Sequence, residues 1–148
     1  MMLRVLFQTL VGIATFLAVY AAAVIIPPEA MWFDPGDIAI SDAKDGEIPI
    51  VSSTRIIKRD FLGSYSVIVR NTDNLEAVCD GRGGPFMYRE AASGRPVSQL
   101  LTGWAGGGCV YQKFGPGRYQ VEACWTVEHP FGILPPKTTC RLRGFTVE

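Results

Sequence analysis

The chain opens with one unbroken apolar run and then falls into short stretches of alternating apolar and polar residues. Residues 5–26 (VLFQTLVGIATFLAVYAAAVII) carry no charge, and only Gln8, Thr9, Thr15 and the amphipathic Tyr20 interrupt them. As a helix rising about 1.5 Å per residue, the run spans about 33 Å, enough to cross a hydrocarbon core of about 30 Å. A helix also satisfies its own backbone groups, which lipid cannot do. Arg4 and the terminal amine precede the run, whereas Pro27-Pro28, Glu29, Asp34 and Asp37 follow it before the next cation, Lys44. Basic residues beside a membrane segment favour the cytoplasmic side. The pattern therefore predicts a single-pass helix over 5–26, with residues 1–4 in the cytoplasm and the remainder outside. A cleaved signal peptide competes, because Ala21-Ala22-Ala23 offers the small residues a peptidase needs. Against it, the apolar run continues through Val24-Ile25-Ile26 and exceeds the usual core of about 7–15 residues. A buried helix of a soluble core is a third alternative. No cysteine follows the run in the manner of a lipid-attachment site. Both leading alternatives export the rest of the chain.

Beyond residue 27 no stretch holds a 3.6-residue period over ten positions. Residues 27–36 (PPEAMWFDPG) read as a linker in which Trp32 and Phe33 sit at the membrane interface or cap the first strand. Residues 37–43 alternate, with Ile38 and Ile40 on one face, and Asp45-Gly46 makes a turn. Short strands are expected at 48–51 and 55–61. Residues 64–70 alternate clearly, with Tyr65, Val67 and Val69 on one side; 71–74 (NTDN) turn, and 75–79 return as a hairpin partner. Residues 80–85 (DGRGGP) read as a loop, 86–89 as a short strand and 90–96 as polar turn. Strands are expected at 98–104 and 109–113, on either side of a glycine run. Residues 119–127 alternate strictly, Tyr119, Val121, Ala123, Trp125 and Val127 facing one way, as in a half-buried antiparallel sheet. Residues 128–136 connect to a last strand at 138–147. Many short strands with frequent turns predict a β-sandwich over 37–148.

Charge narrows the partners. The chain has 14 basic and 14 acidic residues; without Arg4 the exported part has 13 against 14, about −1. Nothing there supplies the basic excess that phosphate backbones require, so nucleic acid is not an expected partner. All four cysteines, Cys79, Cys109, Cys124 and Cys140, follow the apolar run. An even count in an exported chain reads as two disulfides with three possible connectivities. Zinc is the alternative, but the spacings of 30, 15 and 16 contain no close ligand pair, and His129 is the sole histidine. Cys124 and Cys140 flank a hairpin centred near Gly132, which favours 124–140 and leaves 79–109. That pairing turns Arg141 and Arg143 inward and calls for a bulge near Gly144.

Pro116-Gly117-Arg118-Tyr119-Gln120-Val121, opening a strand that holds Trp125, resembles the corner and penultimate strand of immunoglobulin-like and fibronectin-type sandwiches. The resemblance implies an all-β, immunoglobulin-like antiparallel β-sandwich behind one N-terminal transmembrane helix. It also implies that Tyr119 bonds back to nearby backbone. The chain departs from antibody domains, which place a cysteine two residues after this tyrosine; here that position is Val121. A short anchor followed by such a domain is also similar to small bacterial and prophage-encoded membrane proteins, a likeness that brings no known activity with it.

The chain offers little catalytic chemistry. A hydrolytic triad needs a base beside its nucleophile, and His129 precedes Pro130 in a connecting loop. Asp34, Asp37, Asp42, Asp45 and Glu47 match no calcium-loop pattern. The glycine runs 81–84 and 106–108 lead into no predicted helix and so lack the geometry of phosphate loops. No metal, cofactor or enzymatic activity is expected. The expected role is binding of a protein or surface ligand in the cell envelope, through loops 80–85, 105–108 and 128–136, with His129 and Phe131 as candidate partner contacts. The alternatives are an accessory subunit of an envelope complex, contacting neighbours through the small residues Gly12, Ala14 and Ala18, or a secreted binding protein after cleavage. The intact mass of the mature protein separates anchor from signal peptide: the full-chain mass is expected, and loss of about the first 23 residues would contradict retention.

Overall fold

The computed structural model describes residues 2–25, 29–128 and 135–148. The apolar run folds as helix α1 (Met2–Ile25), about 36 Å long at the usual rise. The rest of the described protein does not pack over it: no residue of 4–23 is buried, and Phe7 and Phe16 are each 69% exposed. Its two threonines hide their polarity within the helix, Thr9 Oγ1 donating to the Val5 carbonyl and Thr15 Oγ1 to the Val11 carbonyl, both at 2.9 Å. A membrane anchor and a signal sequence share this description.

One turn of helix, α2 (Glu29–Trp32), leads into the domain. Two antiparallel sheets follow. In the first, β3 (Ile50–Ile57) is central. One edge of β3 pairs with β6 (Ala91–Leu100); the other pairs with β1 (Phe33–Asp34) and then β2 (Ile38–Ile40). Pro35-Gly36-Asp37 separates these two short strands, and Asp34 Oδ1 accepts the Gly36 N–H at 2.9 Å. The second sheet runs β5 (Ala77–Tyr88), β4 (Phe61–Asn71), β7 (Gly117–Glu128), β8 (Lys137–Val147) in spatial order. After β2 the chain crosses between sheets: Ala43 bridges Val147 in parallel, and Asp42 Oδ1 accepts the Thr146 N–H at 2.7 Å. One long side of the sandwich is thereby laced shut.

The alternation of β7 places Tyr119, Val121 and Ala123 in the core, against Val67 and Val69 of β4 and Ile38 and Val51 of the first sheet. A second cluster gathers Phe33, Ile57, Phe61 and Val127. Phe33, assigned by the pattern to the linker, is 2% exposed, and its ring lies 5.7 Å from both Phe61 and Trp125. The folded unit therefore includes residues 33–34.

Several elements differ from the sequence expectation. The strands expected at 48–51 and 55–61 are one strand, β3, with β4 beginning at Phe61. Residues 80–85 are not a loop but the middle of β5, and the polar stretch 90–96 falls largely within β6, an edge strand that faces water. The strand expected at 98–104 ends at Leu100 and gives way to helix α3 (Leu101–Ala105). Where 109–113 was expected to extend, there is a 3-10 turn (Gly107–Cys109). The bulge expected in β8 does not form, since its pairing with β7 runs unbroken from Gly117↔Val147 to Val127↔Lys137. Arg141 and Arg143 do share the face of Phe145 and Val147, but β8 is an edge strand. Arg143 reaches across the gap, its Nε donating to the Ile38 carbonyl at 2.8 Å and its Nη2 lying 3.4 Å from Asp37 Oδ1.

The glycines of β5 reflect close approach. A Cβ on Gly81 would run into the Ala105 carbonyl, whereas one on Gly103 would meet nothing within 4 Å. Gly81→Ala is therefore expected to destabilise the domain by about 1–3 kcal/mol through overpacking. Gly103→Ala should leave stability unchanged or raise it by up to about 1 kcal/mol. Denaturant midpoints at constant slope read both; equal effects would contradict the packing described.

Candidate ligand cleft

The long side of the sandwich opposite the β2–β8 lacing lies between two edge strands, β5 and β6. Strand pairing cannot close it, because each of these strands has a neighbour on one side only. Part of it is filled by residues 101–109, which pass from the end of β6 to the middle of β5. Leu101 N donates to the Pro49 carbonyl at 2.8 Å, and Leu101, Ala105 and Cys109 are each 0% exposed. The plug is fastened by a disulfide between Cys79 and Cys109, whose Cα atoms are 5.1 Å apart. A bridge of this loop length stabilises by about 2–4 kcal/mol, chiefly by restricting the unfolded chain.

The plug stops short of the turn that joins β5 to β6. Between them lies an open cleft of about 840 Å³. Its wall on the second sheet is aromatic, with Tyr65, Phe86, Tyr88 and Trp125, and Trp104 of the plug stands at one end. The rings are ordered among themselves. Tyr65 stacks on Phe86 at 6.2 Å, Tyr88 on Phe61 at 4.7 Å, and Trp104 meets Trp125 edge-on at 6.4 Å. The opposite wall, on the first sheet, carries Arg55, Val97 and Gln99. These belong to the inward set of their strands. Arg55 follows Val51 and Ser53 at period two, and the register pairs Val51 with Gln99 and Ser53 with Val97. Sandwich positions of this kind are ordinarily apolar.

The far end of the cleft is held by Asp60 in the β3–β4 turn. Its Oδ1 accepts the Glu90 N–H and its Oδ2 the Arg89 Nη1, each at 2.7 Å. These bonds, the backbone one first, hold the Asp60 carboxyl below its ordinary range, so the clamp weakens only in acid. Burial pushes the Tyr88 phenol above its ordinary value, opposed in part by the Arg55 guanidinium. Tyr88 is therefore neutral near neutral pH and can both donate and accept a hydrogen bond. Among the described residues the lining contains one carboxylate, Glu90, and no serine, threonine, cysteine or histidine.

The residues singled out from sequence are dispersed over the domain. Cys124 and Cys140 sit directly opposite each other on β7 and β8 and are disulfide-bonded, with Cα atoms 4.0 Å apart. Their bridge lies on the outer face of the second sheet, with Cys140 exposed, unlike the buried Cys79–Cys109 bridge. Glu122 approaches its sulfurs, but neither sulfur is a thiolate free to hold a metal. Tyr119 Oη donates to the Gly115 carbonyl at 2.8 Å, and its ring stacks on Phe145 at 5.1 Å. Trp125 divides its surface between the core and the cleft. His129 and Phe131 lie outside the described residues. Residues 105–108 are the end of the plug, packed against β5 and not free as a loop.

Sequence reasoning missed Arg55, Gln99, Tyr65, Phe86 and Tyr88 as a group. The available signal was parity: once 50–57 and 91–100 are strands, Arg55 and Gln99 fall on inward positions. The chain matches no protein-family model, and none of the curated proteins is similar to it in sequence.

Proposed function

We propose that this is a non-enzymatic, extracytoplasmic binding domain held at the membrane by α1, with its N-terminus in the cytoplasm and its ligand site in the β5–β6 cleft. The domain is immunoglobulin-like and closest in plan to the fibronectin type. Several features support this plan. If β1 and β2 count as one interrupted strand, seven strands divide into β1/β2–β3–β6 and β5–β4–β7–β8, a two-sheet antiparallel arrangement of the kind found in such sandwiches. Tyr119 bonds back to the backbone at the corner opening β7, as the tyrosine corner of such folds does. An exposed apolar helix together with two disulfides fits an oxidising compartment outside the cytoplasm.

The observation that carries the binding role is the cleft itself. A mixed aromatic and polar depression of about 840 Å³ falls within the usual volume of ligand sites, roughly 300–1,000 Å³. It persists because the plug ends early, while polar side chains occupy inward positions that would otherwise close the core. The small-residue face of α1 has no comparable construction, so the accessory-subunit alternative ranks second.

Gly103 provides the test, since it lines the cleft and a side chain there meets open space. A photoreactive residue in place of Phe86, in the full-length protein in membranes, is expected to form an adduct. Gly103→Phe, which places a ring where the cleft is open, is expected to reduce that adduct at least about tenfold without unfolding the domain. The same probe at Leu142, on the outer face, should give none. An adduct at Phe86 that ignores Gly103→Phe, or equal adducts at both positions, would overturn the proposal.

A further inference from the structure

The chemistry of the two walls narrows the ligand. Peptide addition to a sheet edge requires free N–H and C=O groups along that edge. Both strands bordering the cleft carry a proline, Pro85 in β5 and Pro96 in β6, and a proline has no N–H to donate. An added strand is therefore blunted on either side. A purely aliphatic ligand fits no better. It would cover Arg55 and Gln99, whose side chains make no hydrogen bond or ion pair among the described residues, and would strip them of water without replacement.

The complementary ligand has two unlike faces. One face must be apolar, to pack against the aromatic wall of Tyr65, Phe86, Tyr88 and Trp125. The other must carry hydroxyl groups or an anion, to meet the amide of Gln99 and the guanidinium of Arg55. A pyranose ring has this form: axial C–H bonds make one face apolar, and the hydroxyls around its rim pair with planar side chains that donate or accept two bonds at once. The charge at the site adds a further selection. Arg89 is neutralised by Asp60, and Arg55 makes no ion pair with Glu90, the carboxylate of the lining, or with any other described residue. A charge-assisted bond from a guanidinium to a carboxylate is about twice as strong as a neutral one.

We infer that the cleft binds a saccharide unit bearing a carboxylate, packed against its aromatic wall with its acid group on Arg55. The inference rests on the binding role proposed above and assigns the ligand class of that same site. It is tested on the full chain in phospholipid nanodiscs by tryptophan fluorescence, since Trp104 and Trp125 border the cleft. The probes are an oligosaccharide of glucuronic acid, its neutral glucose counterpart of equal length, and decanoate, which places a carboxylate on an aliphatic chain.

The acidic oligosaccharide is expected to bind at least about tenfold more tightly than the neutral one. Arg55→Gln should abolish that preference while leaving weak binding of both sugars, and Gly103→Phe should abolish binding altogether. Arg55 is exposed and both substitutions avoid the buried core, so retained disulfides and circular dichroism check folding. Equal binding of the two sugars, a preference that survives Arg55→Gln, or binding of decanoate alone would overturn the inference. If no saccharide binds but the Gly103-sensitive adduct at Phe86 forms, the saccharide assignment fails and the cleft as a binding site stands. If the adduct is absent as well, both fail.

Discussion

The architecture depends on how the chain covers the side of the sandwich that strand pairing leaves open. The opposite side is laced by backbone bonds from Ala43 to Thr146 and from Glu148 to Ala43, each 3.0 Å long. Between β5 and β6 no strand is available, so the chain sends residues 101–109 across the gap and fixes them with the Cys79–Cys109 bridge. That solution dictates composition elsewhere. Gly81 must lack a side chain because the carbonyl of Ala105 presses on it, and Cys79 turns inward beside it. The plug covers only part of the opening, and the remainder is the cleft. Structural staple and candidate site are thus two halves of one problem in closing the sandwich.

The chain's entry point also bears on the site. Trp32 accepts the Lys58 N–H at 2.7 Å, and Lys58 Nζ donates to the Ala30 carbonyl at 2.9 Å, so α2 is tied to the β3–β4 turn. The same end of the sandwich carries the β5–β6 turn and the last residue of β7, Glu128, opposite Leu62. With α1 retained in a bilayer, this end is the one nearest the membrane. The cleft instead opens laterally, between β5 and β6.

What the sequence made legible follows the strength of its periodic signals. β7 was readable because five inward apolar residues alternate without interruption, and the central part of β4 was readable for the same reason. The N-terminal apolar helix and the Cys124–Cys140 pairing rest on length and on near-symmetric spacing, both of which survive without tertiary information. β5 and β6 were not readable. Gly81, Gly83 and Gly84 look like a turn by composition, yet they are glycines because α3, the Tyr65 ring and Ser64 come close. β6 is polar because it is an edge strand, and it carries Pro96, which argues against a central strand. The cleft stayed hidden with them: Arg55 looks like an ordinary surface arginine until β6 fixes which face of β3 is inward. The missing information lies in long-range pairing, which no local pattern encodes.

The central claim is that Gln99 and its neighbours on the inward face line an open, wetted cleft instead of a closed core. Gln99 and Val51 are cross-strand partners on that face, so they form a matched pair. Single cysteines at each position, with both native disulfides intact, can be challenged with a charged thiol reagent on the folded protein. The account predicts rapid labelling of Gln99→Cys and protection of Val51→Cys, whose native side chain is 1% exposed. Equal protection of both would mean that the sandwich is closed along this side, and the cleft with its proposed ligand would be contradicted.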